Sequence, residues 1–159
     1  MALEYSIDTK GFDNILSKIL NSDSGIKRVI LVDRTGLTIA SVSKFSYFPA
    51  IVDGIGAIGG AVFMATEEQG KCLELGELVL VTSEFSGGKI FTTVCGSKAV
   101  LTLISDPDIN IGLIRLILKR SGHELKKIID GFFSDYDDTL YYRDPRDRGG
   151  GSEGALANF

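Results

Sequence analysis

Four glycines interrupt a stretch that otherwise has the length and composition of a buried helix: Phe48 to Gly70, FPAIVDGIGAIGGAVFMATEEQG. Gly54, Gly56, Gly59 and Gly60 all fall inside it, and each interior glycine costs a helix about 0.5–1 kcal/mol relative to alanine. A soluble chain tolerates that where something must come close to the backbone. A nucleotide phosphate, a sheet underneath, or a second copy of the same helix would each qualify. Pro49 suits the first turn, where its missing N–H is not needed. Ile51, Ile55, Ile58, Val62 and Ala65 then form one apolar stripe, and Ala50, Gly54, Ala57, Ala61 and Ala65 a neighbouring stripe of small residues. Polar residues (Thr66, Glu67, Glu68, Gln69) collect only at the end. The segment is apolar nearly all round, which predicts a helix covered on more than one side.

The elements around it are short and regular. Phe12, Ile15, Leu16, Ile19 and Leu20 recur at helical spacing, predicting an amphipathic helix over 9–22 with Thr9 as its cap. Lys27 to Asp33 (KRVILVD) is an apolar run of strand length; Arg34-Thr35-Gly36 turns it, and Leu37 to Val42 returns as the second strand of a hairpin. Beyond the glycine-bearing helix come Leu75 to Phe85, Lys89 to Cys95 and Ala99 to Ser105, joined by Gly87-Gly88 and Gly96-Ser97. Turns that short imply an antiparallel meander. Asp106-Pro107-Asp108 stops the sheet, and Asn110 or Asp108 can cap a long helix whose seam is Ile111, Ile114, Leu118, Leu125, Ile128 and Phe132. The order α-β-β-α-β-β-β-α predicts an α/β (α+β) sandwich: five mostly antiparallel strands with helices on both faces.

The chain has 159 residues, enough for one domain over 1–134. From Asp135 onward, charge, Pro and Gly replace periodicity, so 135–159 reads as an acidic, glycine-rich tail whose GGGS resembles a linker. Six acids and three arginines give that tail −3 of the net −4. The body is therefore close to neutral, unlike a nucleic-acid binder. The one basic cluster (Arg115, Lys119, Arg120, Lys126, Lys127) has the spacing of a solvated helix face. Cys72 and Cys95 have no CxxC spacing, MALEYSIDTK lacks the n- and h-regions of a leader, and no run of about 18 apolar residues occurs. These features predict a cytoplasmic protein with reduced thiols and no direct membrane insertion.

Catalytic chemistry is thin. Gly54-x-Gly56-x-x-Gly59 matches the dinucleotide fingerprint as a string, but that fingerprint needs a parallel strand running straight into the loop, and here the glycines lie well inside the helical pattern. There is no GxxxxGK[ST] phosphate loop. His123 is the only histidine and the two cysteines are far apart, so no metal site and no cofactor are expected. Asp33, Asp53 and Glu84 read as turn or solvated acids. Arg34 could act as an arginine finger, but beside Asp33 it reads as a structural turn residue. The chain reads as a non-enzyme.

What remains is surface that one subunit does not cover. Gly56/Gly60, Ala57/Ala61 and Ala61/Ala65 have the small-xxx-small spacing that lets two backbones approach. Leu75 to Val81 (LGELVLV) would be an aggregation hazard at a sheet edge unless paired. One isologous dimer answers both, with Gly56, Gly60, Ala61 and Ala65 packed against a twin.

VILVDRTGLTIAS (29–41), DGIGAIGGAVF (53–63) and GKIFTTVCGSKAVLTLISDPDINIGLIR (88–115), in this order of elements, resemble the Roadblock/LC7 family, including the MglB-like bacterial regulators of small Ras-like GTPases. The resemblance spans 9–131. It implies a homodimer, or a heterodimer with a related Roadblock subunit, in which third strands pair and second helices lie together. It also implies non-catalytic work: binding an MglA-type GTPase and modulating its nucleotide cycle, or serving as a scaffold. Carried onto this sequence, Leu78, Val79, Leu80, Val81 and Thr82 become the pairing strand. Asp53, Ala57, Met64, Glu67 and Glu68 become GTPase contacts on the second helix.

Overall fold

The protein is described here by a computed structural model covering residues 10–46 and 49–141, with side chains placed over 10–46 and 51–131. The first helix, α1 (Lys10–Asn21), forms where the apolar spacing predicts it, and all five stripe residues, Phe12, Ile15, Leu16, Ile19 and Leu20, are buried. Its expected cap, Thr9, lies outside the described residues. The hairpin follows as β1 (Ile26–Asp33) and β2 (Thr38–Ser43). Its turn is built by Asp33, whose Oδ1 accepts from the Thr35 N–H (2.8 Å), the Thr35 hydroxyl (2.6 Å) and the Leu37 N–H (3.0 Å). Gly36 supplies the left-handed φ of 93° that the turn requires.

The glycine-bearing segment is a continuous helix, α2 (Pro49–Cys72). After it come β3 (Val81–Phe85), β4 (Gly88–Cys95), β5 (Ala99–Ser105) and α3 (Ile111–Tyr141). Asn110 caps α3, its side-chain oxygen accepting from the Leu113 N–H at 3.0 Å. Every pair of neighbouring strands is antiparallel, in the order β2-β1-β5-β4-β3. The first hairpin thus joins the meander through β1 against β5, and the fold is the expected α+β arrangement.

Two boundaries differ from expectation by more than two residues. The third strand starts at Val81 rather than Leu75, because α2 ends in a turn with Glu74 at φ 54° and Gly76 at φ 84°, and the chain reaches the ladder only opposite Thr92. The last helix runs to Tyr141, past the expected domain end at 134. Residues 135–141 contain neither Pro nor Gly, so nothing in them breaks a helix. The remainder of the expected tail, 142–159, lies outside the described residues.

Strand alternation sorts the core into two layers. Val29 and Leu31 of β1, Phe91 and Cys95 of β4, and Ala99, Leu101 and Leu103 of β5 pack with α1 and with Ile114, Leu118, Leu125 and Ile129 of α3. Ile30, Val32 and Val100 face the opposite way and meet α2.

Candidate interaction surface

The orientation of α2 on the sheet decides what it offers to others. Gly56, Gly59, Gly60 and Phe63, spaced at helical intervals, are its buried residues. A Cβ on Gly56 would stand 2.6 Å from Val32 Cγ1, and one on Gly59 2.6 Å from the Thr102 hydroxyl, closer than side chains can sit. Gly60 faces Val32 at 3.8 Å, whereas Gly54 has nothing within 4 Å. The glycines therefore thin the helix toward its own sheet. Gly56 and Gly60, expected to pack on a twin helix, are spent inside the chain. The same packing fills the space a phosphate would need, and no parallel strand leads into it, so the fingerprint string has no cradle behind it.

The outward side of α2 is the reverse of what burial of large apolar residues would give. Ile58 is 66% exposed, Ile51 49%, Met64 42% and Val62 41%, with Ala57, Ala61 and Ala65 exposed beside them. Of the two stripes recognised in the sequence, the residues with described side chains face out, except the half-buried Ile55. The residue that sequence reasoning missed is Phe63, whose spacing from Gly56, Gly59 and Gly60 marks the true core face.

At the C-terminal end of α2, a groove of about 790 Å³ opens between Ala65, Gln69 and Cys72 and the segment that follows the helix, with Leu73, Leu75 and Val79. Of the expected pairing strand, Val81 and Thr82 belong to β3 at the sheet edge, while Leu78, Val79 and Leu80 precede it. Leu78 and Val81 pack toward α2 and Leu80 toward the other layer, leaving Val79 and Thr82 exposed. The Val79 carbonyl accepts from the Thr93 hydroxyl at 2.8 Å, a side-chain substitute for a ladder bond.

Polar contacts tie α2 to the first hairpin. Thr38 donates to Asp53 Oδ1 at 2.7 Å, and Arg34 Nη1 lies 3.2 Å from Glu67 Oε2. Two of the expected GTPase contacts, Asp53 and Glu67, thus have partners within the chain, and Arg34 is anchored. Glu68, Ala57 and Met64 point outward, Glu68 3.6 Å from Lys71. His123 and Glu84 are exposed, and Asp33 is occupied by its turn. Burial pushes the Cys95 thiol up to about 12, which keeps it protonated and inert; Cys72 is exposed. Among the described residues no group of His, Cys, Asp or Glu is arranged to hold a metal ion, and no helix is long and apolar enough to cross a membrane.

The sheet is open and antiparallel, with one helix on one face and two on the other. The family model of the Roadblock/LC7 domain matches residues 12–105. The chain belongs to the Roadblock/LC7 family. Among relatives, the uncharacterized protein MJ1340 of Methanocaldococcus jannaschii is 33% identical over 109 residues, 67% of this chain and 90% of that protein. Solved structures that share the fold include two MglB proteins. MglB of Myxococcus xanthus has a TM-score of 0.71 at 22% identity, covering 82% of this chain and 96% of that one. The gliding protein MglB of Thermus thermophilus has a TM-score of 0.70 at 20% identity, covering 80% and 94%. The Roadblock/LC7 match ends at Ser105, so α3 lies beyond it.

Proposed function

We propose that this Roadblock/LC7 protein is a non-catalytic, dimeric, cytoplasmic regulator that binds a small Ras-like GTPase of the MglA type and modulates its nucleotide cycle. The observation that carries this reading is the apolar outward face of α2. Burying one large aliphatic side chain is worth about 1.5–3 kcal/mol, and Ile51, Ile58, Val62 and Met64, 41–66% exposed, forgo a large share of that in a single chain. The twin helix would pack on Ile58, Ala61, Val62 and Ala65, without Gly56 and Gly60. The edge from Leu78 to Thr82 would continue the sheet into the second copy or a related subunit. Ala57, Met64 and Glu68 are the contacts left for the GTPase, with Asp53 and Glu67 holding the platform in place.

One feature favours a second reading, that of a scaffold or adaptor without effect on hydrolysis. Arg34, which the sequence offers as a finger reaching into a partner's site, is held by Glu67. The deciding experiment uses Ile58→Asp together with Val62→Asp. The variant should keep its circular dichroism spectrum yet sediment as a smaller species than the wild type. GTP hydrolysis by the small GTPase encoded nearest this gene is then measured with each form. A rate changed by wild type alone supports the regulator, and binding with an unchanged rate supports the adaptor. A double variant that sediments like the wild type would sink the α2 interface.

A further inference from the structure

The last helix carries its charge in two blocks. Between Ile111 and Gly131 there are five bases (Arg115, Lys119, Arg120, Lys126, Lys127) and two acids (Glu124, Asp130), net +3. From Phe132 to Tyr141 there are three acids (Asp135, Asp137, Asp138) and no base, net −3. All five bases are exposed, and among the described residues none of them forms an ion pair. Leu113 and Leu116 lie exposed near the start of the same block. The order of the blocks runs against the helix macrodipole, which favours acids in the first turn and bases in the last; α3 has neither. The helix is also longer than the strands of the sheet. Its 31 residues span about 46 Å at about 1.5 Å per residue, against about 27 Å for the longest strands beneath it.

We propose that α3 pairs antiparallel with the α3 of a second copy about a two-fold axis, the Arg115, Lys119 and Arg120 end of each lying against the acidic block of the other. An isologous contact of this kind uses the complementarity twice. It also brings Leu113 and Leu116 level with the last turn of the second copy's helix, where the sequence has Leu140 and Tyr141. A helix with one sign at each end matches a copy of itself better than a uniformly anionic surface. A bilayer or a nucleic acid would attract the first block and repel the second. The contact lies on the opposite side of the sheet from α2, so the two interfaces are compatible and would assemble dimers into pairs of dimers.

The test is sedimentation equilibrium on the full chain, with helix content followed by circular dichroism. Raising salt from about 0.1 M to about 1 M, where the Debye length shrinks from about 10 Å to about 3 Å, should remove the larger assembly. Replacing Asp135, Asp137 and Asp138 by Lys should weaken the α3-dependent step by at least about tenfold. Adding Arg115→Glu, Lys119→Glu and Arg120→Glu to that variant should restore it. In the Ile58→Asp, Val62→Asp background, the α3-paired dimer should persist, so loss of the α2 interface is told apart from loss of this one. Association unchanged by the triple lysine variant, or no recovery in the combined variant with its helix content intact, overturns the proposal. So does binding to anionic vesicles or duplex DNA without any α3-dependent self-association.

Discussion

On the side of the sheet covered by α1 and α3, large apolar side chains meet large apolar side chains: Phe12, Leu16 and Ile19 of α1 and Ile114, Leu118 and Leu125 of α3 pack on Leu31, Phe91, Leu101 and Leu103. On the side covered by α2, the fully buried large apolar side chains among the described residues are Ile30, Val32, Phe63 and Val100, and the helix meets the sheet through bare glycine backbone. The same five strands therefore carry one face that is finished within the chain and one that is not. The difference lies in the helices. α1 turns its isoleucines inward, whereas α2 turns Gly56, Gly59 and Gly60 inward and Ile51 and Ile58 out. Close approach at Gly56 and Gly59 buries little area, and the apolar surface that would ordinarily stabilise a monomer stays available for a partner.

Substitutions can break or sharpen this contrast. The largest effect is expected at the contact between α2 and the sheet. Gly59→Val would drive methyl groups into Thr102, itself buried, and should leave the protein insoluble or without a cooperative thermal transition. A folded Gly59→Val with near wild-type melting would mean that α2 does not lie on the sheet as described. Next comes the finished face. Leu101→Ala in β5 should cost about 2–5 kcal/mol in urea denaturation, whereas Val62→Ala on α2 should cost a dilute, dissociated chain under about 1 kcal/mol. Equal losses would erase the distinction between the faces.

A smaller effect concerns Cys95, which packs in the α1/α3 layer. Its thiol sits at about 12 in the folded protein against 9.0 ordinarily, so the unfolded chain gives up the proton first. That contribution is fully present below pH 9 and is lost as pH rises toward 12, by about 1.4 kcal/mol per unit at most. The stability difference between wild type and Cys95→Ala should therefore shift in the variant's favour across that window and stay flat below it. The smallest effect separates the glycines themselves. Gly54 faces open space, so Gly54→Ala should stabilise by about 0.5–1 kcal/mol. A loss instead would show that something approaches Gly54 after all, and a second copy would be the first suspect.

Much of the layout was legible from residue patterns. α1 could be placed to within a residue because one stripe of five apolar side chains sat against polar neighbours, leaving one face to bury. The hairpin and meander were legible because their turns use Gly36 and Gly96 with positive φ. β3 was misjudged because Leu75 to Leu80 has strand composition, but the turn out of α2 at Glu74 and Gly76 delays its entry into the ladder. The helix α3 runs past the expected end because the loss of apolar periodicity at Asp135 does not break a helix, and residues 135–141 hold no proline.

For α2, sequence alone settled that a helix must form there, that its backbone must come close to something, and that its apolar surface exceeds what one neighbour would cover. It did not settle which side faced which neighbour, because an almost uniformly apolar helix has no polar edge to fix its rotation. Tertiary packing made that choice. The twisted sheet presents Val32, Ile30 and Thr102 at a distance that only glycine can accept, and once Gly56 and Gly59 occupy those positions, Ile51, Ile58 and Val62 are left facing out.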